Sequence, residues 1–313
     1  RDSLLVQTPE SLKARFNLDV RPFHEVISIS PAEHTVTVRH DGQEFTESYD
    51  KLILSPGAKP FVPSIEGLAE AKNAYTLRNV PDLDEIMAAL DNHPKEAVVI
   101  GAGFIGLEMA ENLAKRGLQV TIVEKAPHVL PPLDHEMAAF VQAELLANGV
   151  RVITSQSATR FEDQGKVIVL ENDQKITSDL TILSVGVEPE NGLAKAAGIE
   201  LGLRGGILVD EHYETSQKDI FAVGDAIVVK QEITGQDALI SLASPANRQG
   251  RQVADVIAGL GRTNKGSIGT AIVRAFDMTA ASTGLSERIL RMNQLPYKAL
   301  HVSGKDHAGY YPG

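Results

Sequence analysis

Cysteine is missing from the 313 residues of this chain. Its absence excludes structural disulfides, thiolate metal sites and thiol catalysis within these residues. The nine histidines show no ligand spacing, so we expect no metal site of another kind either. A G-x-S-x-G motif is also missing, and a hydrolase built on that motif is therefore not supported.

Basic residues and long apolar runs are scarce as well. Lys and Arg number 30 against 41 Asp and Glu, which gives a net charge of −11. A net anion is not attracted to nucleic acid or to an anionic membrane, so we expect neither as a partner. No apolar run approaches the roughly 18 residues of a spanning helix, and the N-terminal residues lack a signal-peptide core. We therefore expect a cytoplasmic globular protein.

Strand patterns alternate with helix patterns along the chain, which predicts an α/β fold. Strands are predicted at 26–38, 51–55, 97–100, 119–124, 151–154, 166–172, 180–186, 206–210, 220–224 and 270–278. Helices are predicted over 81–91, 104–116, 134–147 and 244–260. The segment 97–124 reads as a βαβ unit.

The sequence VVIGAGFIGLE at 98–108 places a G-x-G-x-x-G motif after a strand and at the start of a helix. In that setting Gly101 allows the tight turn, Gly103 lets a pyrophosphate approach, and Gly106 lets the helix pack on the strand. The phosphates would lie on the free N–H groups at the helix N-terminus. The motif, with Ile105 inside it, predicts a dinucleotide site; the alternative is a purely structural turn.

An acidic residue ends the second strand of this unit. Glu124 follows Gly101 by 23 residues, where a carboxylate accepts hydrogen bonds from the adenosine ribose. The same charge would repel the 2′-phosphate of NADP, so we expect NAD(H). The neighbouring Lys125 weakens that preference.

A second candidate site combines DIFAVGDA at 219–226 with SPANRQGR at 244–251. Ser244 suits a helix N-cap and Pro245 suits the first helical turn. The helix N-terminus predicted there offers bare N–H groups to an anionic or electron-rich ligand. The alternative is that Asp225 only caps a turn.

The order of these motifs resembles the flavin-dependent pyridine nucleotide-disulfide oxidoreductases. The motifs are YDKLILSPGA (49–58), GAGFIGLE (101–108), SVGVEP (184–189), DIFAVGDA (219–226) and LASPANRQGR (242–251). Within that family the chain is similar to the subgroup of CoA-disulfide reductases, NADH oxidases and NADH-dependent persulfide reductases. The resemblance covers the whole chain.

The resemblance implies two Rossmann-like dinucleotide-binding domains, one for FAD and one for NAD. The NAD domain would be inserted in the FAD domain, and an α+β dimerisation domain would begin after them. On this basis we expect the FAD domain at 1–93 and 218–265, the NAD domain at 94–217, and the dimerisation domain at 266–313. A homodimer is implied as well.

The resemblance assigns FAD contacts to one set of residues. Asp225, after Gly224, would accept a hydrogen bond from the ribityl chain. The helix start at Pro245 and Ala246 would face the flavin N1–C2=O edge and favour the negative charge that develops there on reduction. Further FAD contacts are implied for Val26, near adenine, and for Ser55, Pro56 and Gly57, where the chain crosses between the domains.

A second set of residues is assigned to the reaction. Phe104 occupies the place of an aromatic that moves aside for nicotinamide, Glu108 that of a carboxylate near the flavin, and Gly186 shapes the nicotinamide pocket. Tyr310 and Tyr311 match an aromatic pair near the partner subunit's redox centre. The alternatives are a packing phenylalanine, a solvated helix glutamate and ordinary strand tyrosines.

Two features of the family are missing from the sequence. Its members begin with their own strand, G-x-G-x-x-G turn and helix for the FAD pyrophosphate, and a redox cysteine follows. We therefore expect these residues to be part of a larger protein. The alternative is a cysteine-free relative with another role.

The resemblance implies an FAD-dependent enzyme that oxidises NADH. Electrons would reach a CoA disulfide or persulfide through a cysteine outside these residues. An NADH oxidase that reduces O2 to water or peroxide is the close rival, because it shares nearly every motif. A non-catalytic NAD-binding module is an alternative of a different class.

Overall fold

The computed structural model describes residues 6–304 and residue 310. The described chain forms two compact units. Unit 1 contains the residues up to Ala58 together with Glu188–Ser267, and unit 2 contains Lys59–Val187 together with the residues from Ile268 onward. Both units combine helices with strands, and the predicted α/β class is confirmed.

The bounds of the elements follow the chain. The helices are α1 (Pro9–Phe16), α2 (Val80–Leu90), α3 (Phe104–Lys115), α4 (His135–Ala147), α5 (Gly192–Ala196), α6 (Ala243–Ile257) and α7 (Glu287–Met292). The strands are β1 (Glu25–Ser30), β2 (Thr35–His40), β3 (Gln43–Ser48), β4 (Leu52–Leu54), β5 (Ala58–Pro60), β6 (Ala74–Tyr75), β7 (Glu96–Ile100), β8 (Gln119–Val123), β9 (Arg151–Ile153), β10 (Ala158–Glu162), β11 (Val167–Leu170), β12 (Lys175–Thr177), β13 (Leu180–Leu183), β14 (Val187–Pro189), β15 (Ile220–Ala222), β16 (Val229–Lys230), β17 (Asp237–Ala238), β18 (Ala271–Ala275) and β19 (Met278–Ser282). None of the helices in the described part of the chain has the length and apolar character needed to cross a bilayer.

Unit 1 is built on small sheets. β1, β2 and β3 form an antiparallel sheet, β4 pairs in parallel with β15, and β16 pairs antiparallel with β17. The alternation expected near 26–38 is visible on β2, where Val36 and Val38 are buried while Thr35 and Thr37 are half-buried. These valines share a core with Ile220 of β15 and Val253 of α6.

Unit 2 contains a five-stranded parallel sheet with the order β6-β13-β7-β8-β9. Its central strands, β7 and β13, are almost wholly buried apolar runs, because a parallel sheet is covered on both faces. Helix α3 buries Leu107, Ala110 and Leu113, which share one helix face, in the same core. An antiparallel sheet (β10-β11-β12) and the hairpin β18-β19 belong to the same unit.

The unit boundaries differ from the predicted junctions near 93 and 217. Residues 59–93 belong to unit 2, because β6 pairs with β13 and Ile86 of α2 is buried in the unit 2 core. Residues 188–217 belong to unit 1, because Ile207 and Tyr213 are buried in its core. Unit 2 begins just after the segment 55–57, at which the resemblance implies a crossing between the domains.

The segment from Ile268 onward joins unit 2 and is not a separate unit. Val273 and Phe276 lie in the unit 2 core. On α3, Glu111 is 8% exposed. Burial raises the pKa of Glu111, but hydrogen bonds from Lys115 and from the Phe276 backbone lower this pKa below its ordinary value. The hairpin is thus tied to α3 by apolar packing and by a buried charge.

The strand predicted at 206–210 is not formed. Ile207 makes isolated bridges to Leu201 and Ile227, while its side chain is fully buried. The apolar run at 206–210 is therefore explained by core packing. Hydrophobic periodicity and composition alone do not distinguish such a run from a paired strand.

Candidate functional site

The turn between β7 and α3 requires glycine at two positions. Gly101 has a φ of +104°, and a Cβ there would lie 2.4 Å from the Ser184 carbonyl oxygen. A Cβ on Gly106 would lie 2.0 Å from the Gly101 carbonyl oxygen. Real Cβ atoms do not approach a backbone oxygen so closely, so both positions exclude a side chain. The tight turn and the close helix contact predicted from the motif are both present.

The backbone of this turn is hydrogen-bonded on several sides. The Gly101 N–H donates to the Val123 carbonyl at 2.8 Å, and the Leu130 N–H donates to the Ala102 carbonyl at 2.8 Å. The Ala102 N–H donates to Glu124 Oε2 at 2.6 Å. The turn is therefore held in place by β8 and by the loop that follows it.

Beyond these bonds the turn opens at the N-terminus of α3. The N-cap is Gly103, which has no side-chain cap, and the first N–H groups of a helix, such as those of Phe104 and Ile105, have no intrahelical partner. A Cβ on Gly103 would meet no atom of the described chain within 4 Å. An open glycine beside bare N–H groups fits a pyrophosphate, so the residues present suit the predicted dinucleotide.

Glu124 has a structural role that the sequence did not predict. The side chain is 8% exposed, and besides the Ala102 N–H it accepts the Ala126 N–H at 2.7 Å through Oε1. Both carboxylate oxygens are thus occupied by backbone donors. Each oxygen has a second lone pair, so a ribose hydroxyl can still be accepted. The predicted ribose contact stays a prediction.

Ser184 was not singled out from the sequence. It follows β13, and its Oγ lies 3.0 Å from the Ile100 carbonyl and 2.9 Å from the Gly101 carbonyl. Two residues on, Gly186 has a φ of +119°, and its carbonyl accepts the Phe61 N–H at 2.9 Å. The segment 184–186 is therefore fixed beside the glycine turn. The sequence signal was the motif SVGVEP at 184–189, which carries the family resemblance but does not show the contacts of Ser184.

The other predicted residues near α3 have mixed surroundings. Phe104 is half-buried and packs against the unit 2 core, and its role at nicotinamide stays a prediction. Ile105 is 37% exposed. Glu108 is exposed, and its backbone carbonyl accepts Asn112 Nδ2 at 2.8 Å. Tyr310 is 83% exposed, and Tyr311 lies outside the described residues.

In unit 1 the motif at 219–226 ends in a short 3₁₀ turn at Gly224–Ala226. Gly224 has a φ of +83°, and its N–H donates to Gln249 Oε1 at 2.7 Å. Gln249 lies on α6 and is 4% exposed. A buried amide on the helix therefore holds the turn that carries Asp225.

Helix α6 begins one residue earlier than predicted. Its N-cap is Leu242, not Ser244, because Leu242 has an extended backbone and the helix starts at Ala243. Pro245 has no N–H, and the Ala246 N–H donates to the Leu242 carbonyl at 3.2 Å. The donors that α6 offers at its start are thus the N–H groups of Ala243 and Ser244, two residues before the predicted pair.

A cavity of about 220 Å³ lies within unit 1. Val26, Ser55 and Pro56, three of the predicted FAD contacts, are among its lining residues, with β1, β2, β4 and α5 around them. Ligand pockets for whole small molecules are typically larger, roughly 300–1,000 Å³, so this cavity suits one ring of a flavin nucleotide. Next to it, the carbonyl of Gly57 accepts the Glu190 N–H at 3.0 Å. The lining fits the predicted adenine end of FAD.

Helix α6 also bonds a buried tyrosine. The Tyr213 hydroxyl donates to Gln252 Oε1 at 2.5 Å, and Tyr213 is fully buried. Burial raises the pKa of Tyr213, while the positive charge of Arg248 lowers it by a smaller amount. Two glutamines of one helix thus bond different parts of unit 1.

A parallel sheet with a glycine turn at its carboxyl edge defines unit 2 as a dinucleotide-binding α/β unit. Residues 5–250 match the pyridine nucleotide-disulphide oxidoreductase family, and the chain belongs to this family. The family assignment confirms the resemblance and the class of enzyme, an FAD-dependent oxidoreductase. It also confirms FAD and NAD(H) as the cofactors.

Two relatives resemble the chain along its whole length. An NADH oxidase of Methanocaldococcus jannaschii is 35% identical over 316 residues, and the match covers 100% of this chain and 70% of that protein. A coenzyme A disulfide reductase of Staphylococcus haemolyticus is 33% identical over 318 residues with the same coverage. The two relatives carry different activities in their names.

Two solved structures share the fold. Reduced CoADR-RHD of Bacillus anthracis has a TM-score of 0.98 and 49% identity, and the match covers 100% of this chain. A NAD-dependent persulfide reductase from A. fulgidus has a TM-score of 0.94 and 35% identity over 98% of this chain. The chain spans 57% of each of these two solved chains.

Proposed function

We propose that the chain is the electron-input part of an FAD-dependent NADH:disulfide or persulfide oxidoreductase whose acceptor is a CoA disulfide or a CoA persulfide. The observation that carries the NADH side is the turn at Gly101, with its own backbone bonded and the N-terminus of α3 open. The acceptor class is supported by similarity to a coenzyme A disulfide reductase and a persulfide reductase.

On the NADH side, each residue has a separate task. The N–H groups at the start of α3 bind the pyrophosphate next to Gly103, where no side chain intervenes. Glu124 accepts the adenosine ribose hydroxyls with its remaining lone pairs and disfavours a 2′-phosphate. Gly186 leaves space for nicotinamide, Phe104 covers it, and Glu108 provides a carboxylate near the reacting ring.

On the flavin side, the residues of unit 1 surround a common ligand. Val26 and the segment 55–57 border the adenine end, and Asp225 accepts a hydrogen bond from the ribityl chain. The N-terminus of α6, at 243–246, directs its positive end toward the isoalloxazine ring. Bound FAD supplies two-electron chemistry between NADH and the acceptor.

The acceptor side needs groups beyond these residues. The sequence has no cysteine, so a thiol that exchanges with the CoA sulfur would belong to a part of the protein outside the 313 residues. Tyr310 and Tyr311 would approach the redox centre of a second subunit in a homodimer. A cytoplasmic location belongs to the same proposal.

An NADH oxidase is the second candidate, because a relative of that name is 35% identical over the whole chain. The residues that bind NADH and FAD would be the same in both. The two functions differ in whether reduced protein reacts with a sulfur substrate or with O2.

The test uses the complete natural protein with its flavin bound. NADH is added without oxygen until the visible flavin absorbance is bleached, and the reduced protein is then mixed with CoA disulfide, CoA persulfide or O2. We expect one of the CoA substrates to restore the absorbance at least about tenfold faster than O2, with release of CoA thiol. Faster reoxidation by O2 would favour the oxidase, and no bleaching by NADH would contradict both candidates.

A further inference from the structure

Ser184 lies where two neighbouring strands of unit 2 end. β13 pairs in parallel with β7, and Leu183 is opposite Ile100, so the next residues, Ser184 and Gly101, are neighbours. Sheets of this kind bind their ligands at the carboxyl ends of the strands. Ser184 is therefore placed between the glycine turn and the segment that leads to Gly186.

The Ser184 hydroxyl contacts the backbone at the start of the glycine turn. The Ser184 N–H donates to the Ile100 carbonyl at 2.8 Å, and Oγ reaches the carbonyls of Ile100 and Gly101 at 3.0 and 2.9 Å. A hydroxyl has one proton, so the two carbonyls share it. A Cβ on Gly106 would lie 2.8 Å from this Oγ, so the hydroxyl fills the space beside the first turn of α3.

The segment after Ser184 has a second fixed point. The Gly186 carbonyl accepts the Phe61 N–H at 2.9 Å, and Val185 between the two points is 38% exposed. The segment 184–186 is thus short, anchored at both ends and exposed in the middle. Its distance from the glycine turn depends on the bonds made by Ser184.

We propose that Ser184 is a positioning residue that sets the distance between the pyrophosphate-binding turn and the nicotinamide side of the NADH site. The inference rests on the NADH-binding part of the proposed function. The turn keeps its bonds to Val123, Glu124 and Leu130 when the hydroxyl is removed. The segment 184–186 also keeps the bond from the Ser184 N–H to Ile100 and the bond of Gly186 to Phe61. The loss therefore removes only the side-chain link between this segment and the turn at Gly101.

Two ligands separate this role from a general structural role. NADH contacts both the turn and the nicotinamide side, whereas ADP reaches only the adenosine and pyrophosphate positions. Substitution of a residue that sets the distance between the two parts weakens NADH binding and leaves ADP binding unchanged. A residue that only stabilises the fold affects the two ligands equally.

Ser178 provides a matched control at the other end of β13. It is 2% exposed, and its Oγ lies 3.0 Å from the Leu180 carbonyl and 2.9 Å from Thr181 Oγ1. Replacement by alanine removes one hydroxyl near the same strand in either case, but only Ser184 contacts the glycine turn.

The experiment uses the complete flavin-loaded protein and its Ser184→Ala and Ser178→Ala variants, with the flavin reduced beforehand and oxygen excluded so that NADH binds without reacting. Each protein is titrated with NADH and with ADP by calorimetry. For Ser184→Ala we expect about tenfold weaker NADH binding and ADP binding within about twofold of the unsubstituted protein. The fluorescence of bound NADH should shift toward that of the free nucleotide, because the nicotinamide is less confined. Ser178→Ala should lower thermal stability and leave the ratio of the two affinities unchanged.

Three outcomes would overturn the positioning role: equal losses for NADH and ADP, no loss for either, or the same ratio change in both serine variants. If the unsubstituted protein binds no NADH, the proposed NADH site itself is lost, which is a separate failure. A result that favours O2 over CoA substrates leaves the Ser184 test unaffected.

Discussion

The two glycine turns of this chain are held in different ways. At Gly101 and Ala102, bonds arrive from β8, from the loop after β8 and from the residue that follows β13. At Gly224, the backbone N–H is held by the amide of Gln249 on α6. The first turn is enclosed by its own sheet, and the second depends on a side chain of a neighbouring helix.

The sheets behind the turns differ in the same way. Unit 2 has five parallel strands around its turn, whereas the strand that leads to Gly224 pairs with β4 in a two-stranded sheet. Parallel strands are normally covered on both faces, yet Ile53 on β4 is 41% exposed. We infer that the turn at Gly101 is formed before its ligand binds, and that the turn at Gly224 is the more sensitive to substitution of its support.

The largest effect is expected from Gly106→Ala. The new Cβ would lie 2.0 Å from the Gly101 carbonyl oxygen and 2.8 Å from Ser184 Oγ. The backbone must move, so we expect a loss of about 3 kcal/mol or more in the free energy of unfolding, together with loss of NADH binding. Chemical denaturation and NADH titration measure the two effects.

Gly103→Ala is the matched control for that substitution. Its Cβ meets nothing within 4 Å of the described chain, so we expect a change in stability below about 1 kcal/mol. NADH affinity should still fall by about tenfold or more, because the methyl group occupies the approach of the pyrophosphate. Equal stability losses in the two variants would contradict the enclosed geometry of the turn.

A smaller effect is expected from Gln249→Met in unit 1. Methionine has a similar size and no comparable acceptor, so the half-buried Gly224 N–H loses its partner at a cost of about 0.5–1.5 kcal/mol in stability. Amide hydrogen exchange at Gly224 should become faster, and the flavin should dissociate more readily from the complete protein. Denaturation, exchange mass spectrometry and flavin release measure these changes.

Gln252→Met, on the same helix, is the control for Gln249→Met. It removes the partner of the Tyr213 hydroxyl and does not touch Gly224. We expect a comparable stability loss with unchanged exchange at Gly224. If both variants accelerate that exchange equally, α6 supports unit 1 as a whole and Gln249 has no specific role at the turn.

The contrast between the turns also explains what the sequence could predict. The turn at Gly101 was recognisable because strand, glycines, helix and Glu124 follow one another within a short segment. The bonds of Ser184 to Gly101 and of Gln249 to Gly224 join residues 83 and 25 positions apart. Nothing in a single sequence reports such a separation, so these supports were missed.

The extents of the two compact units have a related physical explanation. Residues 59–93 look like the end of the first domain, but β6 and Ile86 belong to the sheet and core of unit 2. Likewise the helix start at 243 was placed one residue late, because Ser244 has the side chain of an N-cap while Leu242 has the backbone of one. Local preference yields to tertiary packing at the ends of elements.

The smallest effects concern one aspartate in each unit. In unit 2, the Asp179 carboxylate accepts the N–H groups of Glu96 and Lys95, and these hydrogen bonds lower its pKa. In unit 1, the hydrogen bond from Lys51 lowers the pKa of Asp219. A lowered pKa in the folded state stabilises the protein above the ordinary value of about 3.9, and this stabilisation is lost as the pH falls through the folded-state value.

Added salt should change the contribution of Asp219 to stability more than that of Asp179. The Lys51–Asp219 bond joins opposite charges, and the lysine side chain is 44% exposed, so added salt screens it. The Asp179 bonds involve neutral backbone donors and are less sensitive. We therefore expect Asp219→Asn to lower the melting temperature at neutral pH in dilute buffer and to have less effect in 1 M salt. Asp179→Asn should lower the melting temperature by a similar amount at both salt concentrations. The substitution weakens an acceptor of two backbone hydrogen bonds and breaks no ion pair within the described part of the chain. Thermal melts of the two variants at neutral pH measure both effects. Near pH 3 the unsubstituted protein should lose part of the stabilisation from the two carboxylates, so its melting temperature should lie closer to those of the variants. A salt-independent loss in Asp219→Asn would contradict a mainly ionic role of this carboxylate, because the bond from the Asp219 N–H to Glu214 Oε1 at 2.8 Å is retained in that variant.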